Sequence, residues 1–217
     1  MTAALATPLA EHVHWAIDRE VSVLPRIFDP EITLAVMQRT LSPEVVGGAR
    51  AQREARFPLS FSWRGNPEGE ALGDDLRKAL HAPETSAALI EDVVTLAQAM
   101  AYLFETEEVG VRLRRLDEAM CPRFHCDRLP VRLVSTYLGP GSEWLPDDAV
   151  NRAGLGAPSA SKPDILRVPE ALDTLSAGDV ALMKGTGWVG SEDRALVHRS
   201  PGVSPGEMRL VLTIDPV

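Results

Sequence analysis

The sequence is poor in cysteine, in aromatic residues and in positive charge. Its 217 residues hold two cysteines and two tyrosines, and aromatics make up 5%. With only Cys121 and Cys126 there is no disulfide framework, and a reducing cytoplasm is the simplest setting. Lys and Arg number 22 against 31 Asp and Glu, a net charge of -9. That balance argues against a nucleic-acid or anionic-membrane surface, since both need clustered cations. The arginines near residues 112 to 115 read as a small basic patch or, the preferred reading, as solvated strand positions. No run is apolar enough to span a bilayer, because the best stretch, "ALIEDVVTLAQAMAYLF", carries Glu91 and Asp92. The N-terminus "MTAALATPLAEHVHW" lacks the basic start and long apolar core of a secretory signal. Internal repeats and low-complexity tracts are also missing, so residues 1–217 are expected to form a single domain.

What is there divides at about residue 108. Residues 1–108 read as a mostly helical part. "DPEITLAVMQRTL" opens on a helix-start signal at Asp29 and Pro30, and "GDDLRKALHA" is a short helix candidate. From Ser86 to Glu105 the apolar residues Ile90, Val93, Val94, Ala97, Met100, Ala101 and Phe104 recur every three or four positions, one buried helix face. Residues 109–217 read as all β. "VGVRLRRL" alternates with period two, and "VRLVSTYL", "LSAGDVALMKG", "RALVHRSP" and "MRLVLTID" are further short strands set apart by turns. Such spacing predicts a barrel or jelly roll, and the helical half packed against its outside completes an α+β fold. The loop from Pro146 to Pro163, rich in Gly, Ala, Ser and Pro, reads equally as a lid or as a plain connection.

The stretch "CPRFHCDRLP" collects the chemistry. On a strand, residues i and i+2 share a face, so His125 and Asp127 project together. His198, in "RALVHRSP", is the one other histidine of the β half; His12 and His14 lie near the N-terminus and His81 in the helical half. Two imidazoles and one carboxylate form a facial triad that leaves positions open on an iron(II) ion. A lone His-x-Asp is a weak signal, and its position at the start of the β half adds weight. Arg209 follows His198 by eleven residues, across "SPGVSPGE". If the flanking strands pair as a hairpin, Arg209 lies beside the metal pocket, where a guanidinium can grip a carboxylate with two hydrogen bonds. The other reading of Arg209 is a solvated strand arginine.

The order His-x-Asp, distant His, then Arg resembles the iron(II) and 2-oxoglutarate-dependent oxygenases, whose fold is a double-stranded β-helix, a jelly roll. Across the whole chain, "CPRFHCD", "RLVSTYLGPGSEWLP", "GDVALMKG", "HRSP" and "RLVLTID" look like a bacterial domain-of-unknown-function family, number 1826. The first resemblance implies Fe(II) on His125, Asp127 and His198, with Arg209 holding the distal carboxylate of 2-oxoglutarate. The second implies zinc homeostasis, since genes of that family accompany zinc-homeostasis genes. The sequence departs from the oxygenase pattern at Arg209-Leu210-Val211, where a serine is usual two residues after the arginine. Tyr137 and Thr213 are candidates for the missing hydroxyl, and Arg132 and Lys184 are rival carboxylate holders.

Other residues carry weaker signals. Tyr137 shares the parity of His125 and Asp127 if the strand runs on past Pro130, and then either binds the cosubstrate or fills the barrel. Trp144 and Trp188 either line a substrate pocket or simply pack. Arg199, Ser200, Asn151 and Arg152 are candidates for contacts around the metal or substrate. Cys126 would face away from the triad, and Cys121 lies about 13 Å from His125 along an extended chain. "GTGWVG" has no helix after it and is not a phosphate loop. Three readings follow: an oxygenase acting on a small molecule or protein, a zinc buffer, sensor or delivery protein using the same three ligands, and a metal-free polar network. Whether the chain forms a homo-oligomer is left open.

Overall fold

The computed structural model describes residues 13–217. His12 lies outside that range. In chain order the elements are strand β1 (Trp15–Asp18), a 3-10 turn (Val21–Phe28), β2 (Leu34–Met37), helix α1 (Pro43–Ala51), β3 (Ser60–Gly65), α2 (Ala71–Ala79), α3 (Ala87–Leu103), then β4 (Val109–Leu116) and β5 (Val131–Leu138). There follow β6 (Glu143–Leu145), β7 (Asp173–Thr174), β8 (Val180–Lys184), β9 (Val197–Arg199) and β10 (Arg209–Pro216). Seven strands form a large sheet in the order β1-β2-β8-β5-β10-β4-β3, and three form a small one, β7-β6-β9. Among the described residues no helix is long and apolar enough to cross a membrane.

The large sheet has two different faces, set by the strict alternation of side chains along each strand. Val109, Val111 and Leu113 on β4, Val131, Leu133 and Tyr137 on β5, Val180 and Leu182 on β8, and Leu210, Leu212 and Ile214 on β10 turn to one side. There they pack in one cluster with α1, α2 and α3. The seam of α3 explains its place: Leu89, Ile90, Val93, Leu96, Ala97, Met100 and Ala101 are its buried residues, at spacings of three and four. Each such fully buried leucine or isoleucine contributes about 1.5–3 kcal/mol. The other face packs against the small sheet. Leu34, Val36, Val134, Ala181, Met183 and Val211 meet Trp144 and Leu196 there in a second cluster.

The first half is less helical than its sequence suggests. The helix expected to begin at Asp29 is instead the strand β2, fully paired with β1 on one side and β8 on the other. "LAVM" shows no polar face because both sides of β2 are covered, so tertiary pairing overrides the Asp-Pro start signal. β1 and β3 are further strands of this half. The helix α1 was not expected, although its start is legible: Pro43 sits in the first turn and Ser42 accepts a hydrogen bond from the Val45 N–H.

The expected pairing around "SPGVSPGE" is also different. β9 and β10 do not make a hairpin: β9 pairs with β6 in the small sheet, and β10 lies between β4 and β5 in the large one. The segment is a crossing between sheets. The loop after Pro146 is anchored by its apolar side chains. Val150, Leu155, Ile165 and Leu166 pack with Leu145, Val197 and Phe124 on the outer side of the small sheet.

Candidate active site

His125 and His198 are joined by backbone. Each donates its N–H to the other's carbonyl at 3.0 Å, an antiparallel bridge that puts the rings side by side at 4.6 Å between centroids. The chain enters this bridge through "CPRF", where the Ser200 N–H donates to the Cys121 carbonyl. His125 Nδ1 lies 2.9 Å from the Arg123 carbonyl, so its protonated nitrogen is held there and Nε2 is left with a free lone pair. His198 Nδ1 faces the Leu196 carbonyl at 3.4 Å. Both Nε2 atoms look at one carboxylate: Asp127 Oδ1 is 3.7 Å from His125 and Oδ2 is 3.8 Å from His198. These separations are too long for hydrogen bonds and suit two ligands of one ion. One ligand atom from each residue lies within 4.8 Å of the others, and the group could hold a metal. Burial lowers the pKa of His198 to about 4, with Asp127 opposing the shift, so its imidazole is neutral at pH 7 as a ligand must be.

Asp127 is fixed from two directions. Arg132 Nη1 donates to its Oδ2 at 2.9 Å. Its backbone carbonyl accepts from the Thr186 N–H and faces the Thr186 hydroxyl. Gly185 and Gly187 lie flat against the same turn: the N–H of Gly185 donates to Pro130 O and that of Gly187 to Leu129 O. A Cβ at Gly185 would stand 2.1 Å from Leu129 O and 2.6 Å from Asp127 O. "GTG", set aside above as no phosphate loop, is thus the clamp on the metal-facing turn. Glycine there serves close backbone approach.

That turn overturns the parity argument for Tyr137. The chain bends at residues 128–130, and β5 begins at Val131, so His125 and Tyr137 share no strand. Tyr137 faces the helices, where its hydroxyl donates to Asp92 at 2.6 Å and Asp92 binds Arg39. Burial and the Asp92 carboxylate push its pKa well up. It is not at the triad. Nor is Lys184, which turns to the helix side, donates to Asp29 O at 2.9 Å and lies 4.7 Å over the Trp188 ring. Trp188 itself packs with Phe28 and Phe104 there. Arg199 points away from His198, pairs with Glu143 across β6 and covers the Phe124 ring.

The rest of the predicted set lies closer. Trp144 is paired directly with His198 across β6 and β9 and is buried between the sheets. Arg132 is an anchor for Asp127 and Asp215, so it is already paired rather than a free carboxylate holder. Asn151 sits on the outer loop with its N–H held by Ile165 O. Arg152 beside it binds Asp147 and the Ala195 carbonyl and reaches Cys126 Sγ. Cys126 donates to Ala195 O on that outer side, away from the triad as its parity required. Cys121 is exposed, and the metal-competent group contains only His125, Asp127 and His198 among the described residues.

Arg209 is the decisive side chain. It is 2% exposed, on the same inter-sheet face as Val211. Its partners are hydroxyls: Ser142 at 2.8 Å, Thr136 at 3.2 Å and Ser200 at 3.5 Å. Its Nε has no partner, and among the described residues no carboxylate pairs with it. Burial alone lowers its pKa to about 10. The cation is stranded, since a buried charge is normally paired. Ser200, 3.5 Å from the arginine, lies two residues after His198, about 7 Å along an extended chain, which brings Arg209 into the neighbourhood of the triad. The hydroxyls expected from Tyr137 or Thr213 come instead from Thr136, Ser142 and Ser200. Sequence gave no signal for Thr136 and Ser142, because they meet Arg209 only when strands distant in the chain pack.

Residues 18–215 match the family described as "Protein of unknown function (DUF1826)". The chain belongs to this family. No curated protein matches this DUF1826 chain. Among solved structures it is similar to a dioxygenase for auxin oxidation from rice, at 14% identity and a TM-score of 0.47, covering 85% of this chain and 73% of that one. It is similar to dioxygenase for auxin oxidation 1 of Arabidopsis thaliana, in a complex with 2-oxoglutarate, at 11% identity and 0.47, covering 94% and 92%. A prolyl-4-hydroxylase from Pseudomonas putida gives 13% and 0.45, covering 90% and 92%. Identities this low assign none of these activities to the DUF1826 chain.

Proposed function

We propose that this protein is a non-haem iron(II), 2-oxoglutarate-dependent oxygenase built on a double-stranded β-helix. The observation that carries the reading is Arg209: a buried guanidinium whose partners among the described residues are hydroxyls, one of them Ser200, two residues from His198 in a group of two histidines and an aspartate that face a common point. A dicarboxylate satisfies both ends at once. One carboxylate completes the charge balance at Arg209, and the oxo-acid end reaches the ligand group. A site that only stores or senses zinc has no use for the stranded arginine, so zinc binding by the same three residues is the rival outcome of the test.

In this reading His125, Asp127 and His198 hold the ion, and the neutral imidazole of His198 offers its Nε2 without losing a proton first. Arg132 holds the Asp127 carboxylate in place and offsets its charge. Arg209, itself buried, would fix the cosubstrate's orientation by a charge-assisted pair. Trp144, paired with His198, flanks the ligand group on the buried side. Bound iron and 2-oxoglutarate would supply the oxidising chemistry towards dioxygen; the chain's own groups bind and orient.

Anaerobic titration of the apo-protein with iron(II) and then 2-oxoglutarate tests this. The expected result is a weak visible charge-transfer band that is lost in Arg209→Ala while iron binding persists. Tight zinc binding with no band and no response to 2-oxoglutarate would shift the assignment to zinc handling. Absence of any metal binding would leave the triad as a polar network.

A further inference from the structure

The inter-sheet face of the large sheet continues past the small sheet onto β4 and β3, and there it is open. Thr213 on β10 pairs with Arg112 on β4, and Arg112 with Ser62 on β3; Val211 pairs with Arg114, and Arg114 with Ser60. Directly paired residues share a face. This strip therefore runs on from Arg209, Val211 and Thr213 as one surface. Ser60 and Ser62 are exposed, and the Arg112 side chain is 42% exposed.

The charges on this face do not balance. At its β3 edge Arg64 and Glu108 pair with each other; apart from them the face carries Arg112, Arg114, Arg132 and Arg209 against two carboxylates, Asp127 and Asp215. Asp127 binds Arg132, and Asp215 is shared by Arg132 and Arg112. Arg114 is left without a carboxylate among the described residues, and its buried Nε has no hydrogen-bond partner. A divalent ion and a dicarboxylate cancel each other, so loading the site as proposed above leaves two positive charges in excess. That is a local reversal on a chain with a net charge of -9.

We propose that Arg114, with Arg112 and the Ser60 and Ser62 hydroxyls, binds an anionic head group of the substrate, a carboxylate or a phosphate monoester. The inference rests on the oxygenase reading for what happens at the other end of the substrate. Arg112 and Arg114 lie two strand spacings from β5, level with Val134 and Thr136, which stand two and four residues along that strand from the Arg132 that holds Asp127, so they are roughly 12–16 Å from Arg132 across the sheet. The substrate is then an extended anion whose reacting carbon lies well away from its charge. Guanidinium and hydroxyl donors together are the usual receptors for carboxylate and phosphate oxygens.

The test uses the full chain loaded with manganese(II) and 2-oxoglutarate, titrated calorimetrically with inorganic phosphate and, in a parallel arm, with acetate. The expected result is saturable binding of one anion that weakens about tenfold or more in Arg114→Gln, with 2-oxoglutarate affinity unchanged. Arg209→Gln should do the reverse, losing 2-oxoglutarate and keeping the anion. The arm that responds to Arg114 identifies the head group as phosphate or carboxylate. If Arg114→Gln fails to fold, the exposed double variant Ser60→Ala/Ser62→Ala carries the test, with an expected several-fold loss. Binding of neither anion to the loaded wild type, or binding indifferent to both variants, overturns the proposal. If 2-oxoglutarate itself does not bind while the Arg114-dependent anion does, the head-group site stands and the oxygenase reading falls.

Discussion

The two faces of the large sheet are made from the same strands and obey opposite rules. On the helix side most side chains are apolar, and the larger polar groups buried there are bonded: Tyr137 is closed into a paired chain with Asp92 and Arg39, and Lys184 donates to the Asp29 carbonyl. On the inter-sheet side the same strands carry Arg112, Arg114, Arg132 and Arg209, and among the described residues Arg114 and Arg209 have no carboxylate. β4 makes the contrast within one segment: Val109, Val111 and Leu113 are buried, while Arg112 and Arg114 alternate with them. One face is arranged for stability. The other holds unbalanced charge that burial makes costly and that a bound anion relieves.

Substitutions on each face should separate these roles. Leu113→Ala, on the helix side, should lower stability by about 2–5 kcal/mol in denaturant melts. Iron affinity of the folded fraction should stay unchanged; a parallel loss of iron binding would mean that the faces are coupled. The next effect is on pH. The pKa of His198 is near 4 in the fold and near 6.5 when unfolded, so the unfolded chain binds more protons between those values. Stability of the metal-free protein should therefore fall as pH drops from about 6.5 towards 4. Buried His14, also lowered by desolvation, adds to the fall, and the part missing in His198→Gln belongs to the site. Arg209→Met should leave the ligand-free protein equally or more stable, by up to about 1–4 kcal/mol, while abolishing binding of 2-oxoglutarate. A clear destabilisation in a thermal melt would make Arg209 a structural cation. Gly185→Ala, whose Cβ would strike the Leu129 and Asp127 carbonyls, should move the Asp127 turn, lowering the melting temperature and weakening metal binding about tenfold.

The legible parts of this protein were local. The seam of α3, the alternation of β4, β5 and β10, and the metal-competent grouping of His125 and Asp127 follow from periodicity two or about four, which short-range geometry dictates. The misread parts depended on partners far away in sequence. "LAVM" became β2 because β1 and β8 cover it on both sides. The parity of Tyr137 failed because a turn, clamped by glycines nearly sixty residues later, interrupts the strand. Arg209 came near the triad without the hairpin that was expected to bring it there, by way of Ser200 and a crossing between two sheets.

By itself the sequence determined which residues are capable of the chemistry: two histidines, an aspartate and an arginine in an order that resembles a known family. Tertiary structure decided which of the charged groups are satisfied. Counterions are matched through space, and only the packing of β5, β9 and β10 shows that Arg132 is paired while Arg209 has no carboxylate among the described residues.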